Sequence, residues 1–94
     1  MVLFLRVWFY LKHVKRMLSL IYSANYHLQL ADDGSLSEDE ADAQYEVYLD
    51  YVSMLAQLIV SDAGGRVSAD NARAMALYKR DELQAKCEAL LAKA

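Results

Sequence analysis

The sequence predicts an all-α protein: an antiparallel three-helix bundle with a long N-terminal helix, associating into a dimeric helical bundle. Three observations carry this expectation. Proline is absent and glycine occurs only at 34, 64 and 65, so long helices interrupted twice are the natural reading. Apolar residues recur at alternating spacings of three and four, the period of a helix face. Hydrophobic residues also make up 56% of the 94 residues. A small chain has much surface and little interior, so part of that apolar content is expected to be covered by another molecule. The length fits a single domain, residues 1–94.

The first helix is expected over about residues 2–30. Positions 3, 7, 10, 14, 17, 21, 24 and 28 read Leu, Val, Tyr, Val, Met, Ile, Ala and Leu, a seam sustained for nearly four heptads. The stretch ADDGSLS ends it. A second helix, about 38–62, follows Ser37, and Glu40 three residues later completes a capping-box signature. Its seam is Ala41, Tyr45, Tyr48, Val52, Leu55 and Ile59, which places Tyr45 and Tyr48 in the core. DAGGRVS closes it, with Gly64 suited to a left-handed cap. The third helix should run unbroken over about 68–92, with Ala72, Met75, Ala76, Leu83, Cys87 and Leu90 on its apolar side.

The two turns resemble each other, GSLSEDEADA (34–43) against GRVSADNARA (65–74). Paired calcium loops would need oxygen ligands at loop positions 1, 3 and 5. Around Gly34 position 3 is Ala31, and around Gly65 position 1 is Val60. Repeated helix-start chemistry accounts for the likeness instead.

Charge is unevenly distributed, although the net value is only −3. Residues 1–31 carry Arg6, Lys12, Lys15 and Arg16 and no acid, whereas residues 32–62 carry nine acids and no Lys or Arg. Antiparallel neighbours of opposite charge are expected to attract each other inside the fold. Cys87 is the single cysteine, which excludes an internal disulfide or a Cys-rich zinc site and fits a reducing, cytoplasmic setting. No secretory leader is expected, because the positive charges follow the first apolar run.

The opening stretch, MVLFLRVWFYLKHVKR, is apolar nearly all round before Lys12. On a helix, residues 5, 9, 12, 16, 19 and 23 share one row: Leu, Phe, Lys, Arg, Ser, Ser. That row lies on the side a bundle leaves wet. Leaving Leu5 and Phe9 there would forgo about 1.5–3 kcal/mol apiece. Self-association through Phe4, Leu5, Trp8, Phe9 and Lys12 covers them most economically, as a two-fold homodimer. A membrane span is not expected, since Arg6 and KHVKR interrupt every window of about 20 apolar residues. Peripheral binding to a membrane surface is the alternative use of the same aromatic and basic residues.

No catalytic motif, phosphate loop or metal-ligand spacing is present. His13 and His27 lie about 21 Å apart by helical rise and cannot share a metal within one chain. They are expected to face solvent or a partner. No cofactor, metal or catalytic residue is therefore assigned. Lys12, His13, Lys15 and Arg16 make a weak nucleic-acid footprint on an acidic chain, so a nucleic-acid-associated regulator is the lowest alternative. The function expected is a non-enzymatic adaptor or inhibitor that binds a larger protein. Glu38, Asp39, Asp42 and Tyr51 form its candidate partner surface.

Overall fold

The computed structural model describes the backbone of residues 2–93 and the side chains of residues 13–93. The protein is all-helical over these residues: α1 spans Val2–Ala31, α2 Glu38–Ala63, α3 Ala69–Tyr78 and α4 Arg80–Ala92. The self-association residues Phe4, Leu5, Trp8, Phe9 and Lys12 fall where side chains lie outside the described set.

The helix ends follow from local chemistry. After α1, the Asp33 carboxylate accepts the Ser35 amide at 3.1 Å and tightens the turn. Ser37 then caps α2: its Oγ accepts the Glu40 amide at 3.2 Å, and the Glu40 carboxylate accepts the Ser37 amide at 3.4 Å. Glu38, Asp39 and Glu40 fill the first turn, where negative charge suits the helix dipole. Gly64 ends α2 in the left-handed region, with φ 57°, which a side chain would strain. Ser68 repeats the capping chemistry, its Oγ accepting the Asn71 amide at 3.1 Å. The likeness between the two turns is thus one of serine caps.

α1 and α2 pack antiparallel, with His27 against Gln44 near one end and His13 against Asp62 near the other. Val14, Met17, Ile21 and Ala24 of the α1 seam are buried against Tyr48, Val52, Leu55 and Ile59 of α2. Both seams hold in register through the middle of the pair.

The third expected helix is not continuous. It breaks at Lys79 (φ −124°, ψ 25°), which ends α3 and starts α4 without a side-chain cap. α3 packs on α2 and α4 packs on α1, while among the described residues the α1–α3 and α2–α4 backbones do not come close to each other. The order of contacts shows why the break is needed. α3 runs back along α2, with Arg73 reaching Ser53 and then Arg80 reaching Tyr48. α4 then returns along α1, with Arg80 at Asn25 and Cys87 at Met17. A straight helix could follow only one of these paths. The small residues Ala72 and Ala76, both fully buried, let α3 lie close to α2.

Because α3 ends at Tyr78, it does not cover the far end of the α1–α2 pair. Tyr45, expected in the core, is instead 47% exposed, tilted against Tyr48 with ring centroids 5.5 Å apart.

Candidate functional site

Three polar constellations interrupt the apolar packing. The first is Arg80, at the junction of all four helices. Its Nε donates to Asn25 Oδ1 at 2.9 Å, and its Nη1 donates to Tyr48 Oη at 2.8 Å. The same Nη1 donates to the Ala76 and Leu77 carbonyls, each at 2.9 Å. Those carbonyls close α3, where the break removes the amides of a following turn. The guanidinium also lies over the Tyr48 ring, 4.9 Å from its centroid. This arrangement is structural: it fastens α3 and α4 to the α1–α2 pair.

The second is Asp62, on the last turn of α2. Its side chain is only 5% exposed, and neither carboxylate oxygen has a hydrogen-bond partner. His13 Nε2 stands 3.7 Å from Oδ1, an ion-pair separation too long for a hydrogen bond. Burial pushes the Asp62 carboxyl above the ordinary aspartate range, and attraction to His13 pulls partly the other way. Cys87 is buried nearby, its thiol pushed up first by burial and then by the charges of Asp62 and Glu88. A thiol held protonated in this way is a poor nucleophile. Among the described residues no three His, Cys, Asp or Glu side chains cluster as a metal site.

Between α3 and α4, over the α1–α2 pair, lies a cleft of about 200 Å³. Met17, Ile59, Met75, Leu83 and Leu90 supply apolar walls, with Asp62, Lys86 and Cys87 as its polar lining groups.

The third constellation is the opposite end of α1–α2. Glu38, Asp39 and Asp42 are exposed together on the first turns of α2, with Asp32 and Asp33 on the adjoining loop. Exposed Tyr26 (58%) and Tyr45 stand at the same end. Tyr51 lies further along α2, half-buried and stacked on His27 with ring centroids 5.5 Å apart and planes within 14°. The structure therefore groups the three predicted acids and sets Tyr51 apart from them.

Two expectations are corrected here. The histidines face into the fold: His27 Nδ1 shares a hydrogen bond of 2.6 Å with Gln44 Oε1, and His13 pairs with Asp62. Among the described residues, opposite charges on α1 and α2 do not pair, apart from His13 with Asp62. Among the described residues, His13–Asp62 is the only ion pair, and no Lys or Arg reaches a carboxylate. Antiparallel register is the cause. Arg16 and the loop after Ala31 are separated by roughly 22 Å of helical rise. That is well over a Debye length of about 8 Å at physiological salt, so the acidic end stays uncompensated.

Asp62 and Arg80 were both readable as anomalies of spacing. The α2 seam 41, 45, 48, 52, 55, 59 continues to 62, which is an acid, and the series 72, 76, 83, 87, 90 is completed by 80, which is an Arg. A charged residue at a core register position is the signal for a buried polar hub.

The chain matches no known protein family, no curated protein and no solved structure. Among the described residues no helix is long and apolar enough to cross a membrane.

Proposed function

We propose that the protein is a non-enzymatic helical interaction module, an adaptor or an inhibitor that blocks a larger protein, acting as a homodimer. The carrying observation is the uncompensated acidic end of the α1–α2 pair. Glu38, Asp39 and Asp42 are exposed there with no cationic partner among the described residues, beside the exposed rings of Tyr26 and Tyr45. Tyrosine offers a rigid apolar body with a polar tip, and carboxylates steer a basic surface toward it. The partner surface would thus be acidic and aromatic, and its target basic.

Dimerisation through Phe4, Leu5, Trp8, Phe9 and Lys12, joining the helices of two chains into one bundle, is the second part of the proposal. The helical row containing Leu5 and Phe9 continues through Arg16 and Ser19, both exposed, which supports a wet side for that row.

The test is affinity capture from a lysate of the source organism, with wild type and Glu38→Gln/Asp39→Asn/Asp42→Asn as parallel baits. A protein held by wild type, released by salt and missing from the variant is expected. Identical captures by both baits would sink the acidic-surface reading. Size-exclusion chromatography with light scattering, on wild type and Leu5→Glu/Phe9→Glu, decides the dimer. A wild-type monomer ends that part.

A further inference from the structure

The break between α3 and α4 is satisfied in a way that leaves a second arrangement open. A continuous helix through Lys79 would give the Ala76 and Leu77 carbonyls to the Arg80 and Asp81 amides, four residues on. In the bent chain the Arg80 guanidinium donates to these same two carbonyls, each at 2.9 Å. The bonds on either side already keep helical register: the Lys79 amide donates to the Met75 carbonyl at 2.9 Å, and the Leu83 amide to the Lys79 carbonyl at 3.0 Å. At the hinge, among the described residues, only the amides of Arg80, Asp81 and Glu82 lack a backbone acceptor. Residues 76–83, ALYKRDEL, contain no Gly, Pro or β-branched residue, so local propensity favours the straight form. Straightening therefore leaves no backbone group of the hinge unsatisfied, and the bend is held by tertiary contacts. Those contacts tie α4 chiefly to α1. Arg80 Nε donates to Asn25, Glu88 accepts the Tyr22 hydroxyl at 2.8 Å, and the buried Cys87 thiol lies 4.0 Å from Met17 Sδ. A cleft of about 200 Å³ separates α4 from α3.

We propose that α4 is an exchangeable arm: α3 and α4 straighten through Lys79 into one helix, and α4 packs on α1 of a second copy, giving a two-fold, domain-swapped dimer. The surface that receives the arm is the α1 face around Met17 and Tyr22. Exchange rebuilds the Tyr22–Glu88 and Met17–Cys87 contacts between chains, so the α1–α4 interface is kept and only the hinge changes. One chain cannot keep that interface once straight, because α3 stays on α2 and a straight helix leaves α1. A second copy presents the identical face, so no new complementarity has to be found. Arg80 is the latch. Its guanidinium serves the two carbonyls only while the helix is bent, and the backbone amides take them over when it straightens. The exchange is separate from association through Phe4, Leu5, Trp8, Phe9 and Lys12 and does not depend on it.

The experiment refolds the full chain from urea at millimolar concentration and sizes it by chromatography with light scattering. Every chain carries Leu5→Glu/Phe9→Glu, so that the N-terminal residues cannot supply the dimer. Arg80→Met removes donors that only the bent form uses. It should strengthen dimerisation at least ten-fold per hinge, about 1.4 kcal/mol, and so roughly a hundred-fold for the two hinges of a dimer. Lys79 is exposed, and adding Lys79→Gly to Arg80→Met penalises the straight helix alone. That second change should take back about ten-fold. Dimers refolded from an equal mixture of ¹³C-methyl-methionine and unlabelled chains then locate the arm. An isotope-filtered nuclear Overhauser contact from the Met17 methyl to Cys87 is expected between chains. No gain in dimer from Arg80→Met, a dimer that Lys79→Gly leaves unchanged or strengthens, or Met17–Cys87 contacts confined within one chain would each overturn the proposal. Should circular dichroism show Arg80→Met unfolded, Arg80→Lys takes its place, with a smaller gain expected in the same direction and its absence equally decisive.

Discussion

Replacing Arg80 by Met keeps most of the aliphatic stem and removes the guanidinium, so it isolates the polar hub at the α3–α4 junction. Four hydrogen bonds of 2.8–2.9 Å and one ring contact are lost together. A hydrogen bond to a charged group contributes about 1.5–3 kcal/mol net. The total is far below the simple sum. One nitrogen serves three acceptors, the site is half-buried, and water can reach the orphaned carbonyls. A loss of about 3 kcal/mol is expected, a large share of the roughly 5–15 kcal/mol that stabilises an ordinary domain. At about 4–8 °C per kcal/mol, the melting temperature should fall by roughly 12–24 °C. Urea unfolding followed by circular dichroism gives the free energy, and amide exchange gives the location. Exchange should quicken most in α3, whose last carbonyls Arg80 holds, and less in the α1–α2 seam. Arg80→Lys should recover less than half, because an ammonium cannot span Asn25, Tyr48 and the two carbonyls at once. A loss under about 0.5 kcal/mol, or uniform quickening of exchange, would refute the idea that Arg80 fastens the broken helix.

The remaining expectations concern single sites. Asp62 has a raised pKa in the fold, so its contribution is most favourable below its unfolded pKa, where it is protonated in both states. That contribution is lost as pH rises through the folded value, so Asp62→Asn should raise stability by about 1 kcal/mol at pH 7. The gain should vanish on acidification, and an equal gain at every pH in thermal melts would contradict the assignment. Ser37→Ala removes the α2 cap and should cost about 1 kcal/mol. An unchanged urea midpoint would show that the cap is idle. Cys87 should label slowly with a thiol reagent in the native protein, at a rate set by opening of the fold. Labelling as fast as a free peptide thiol would place it at the surface.

The positions of the helices were legible because their determinants are local. Seam periodicity, Ser37 with Glu40, Gly64 and Ser68 each act within a turn or two, and the structure places α1, α2 and the start of α3 accordingly. The acids Glu38, Asp39 and Asp42 could be placed on one helix start for the same reason. Their isolation from cations could not, because it depends on the antiparallel register that sends Lys15 and Arg16 to the opposite end.

The break at Lys79 has neither Gly nor Pro to announce it. It exists because α3 packs on α2 while α4 packs on α1, and Arg80 satisfies the carbonyls that the break exposes. Early termination of α3 then leaves Tyr45 half in water, and the space between α3 and α4 becomes the cleft over Asp62. By itself the sequence determined what each segment would be, since caps and periodicity are properties of neighbours along the chain. Only the tertiary structure decided which charges would meet, which carboxylate would be buried without a hydrogen bond and which faces would stay open. Those outcomes depend on contacts between residues dozens of positions apart.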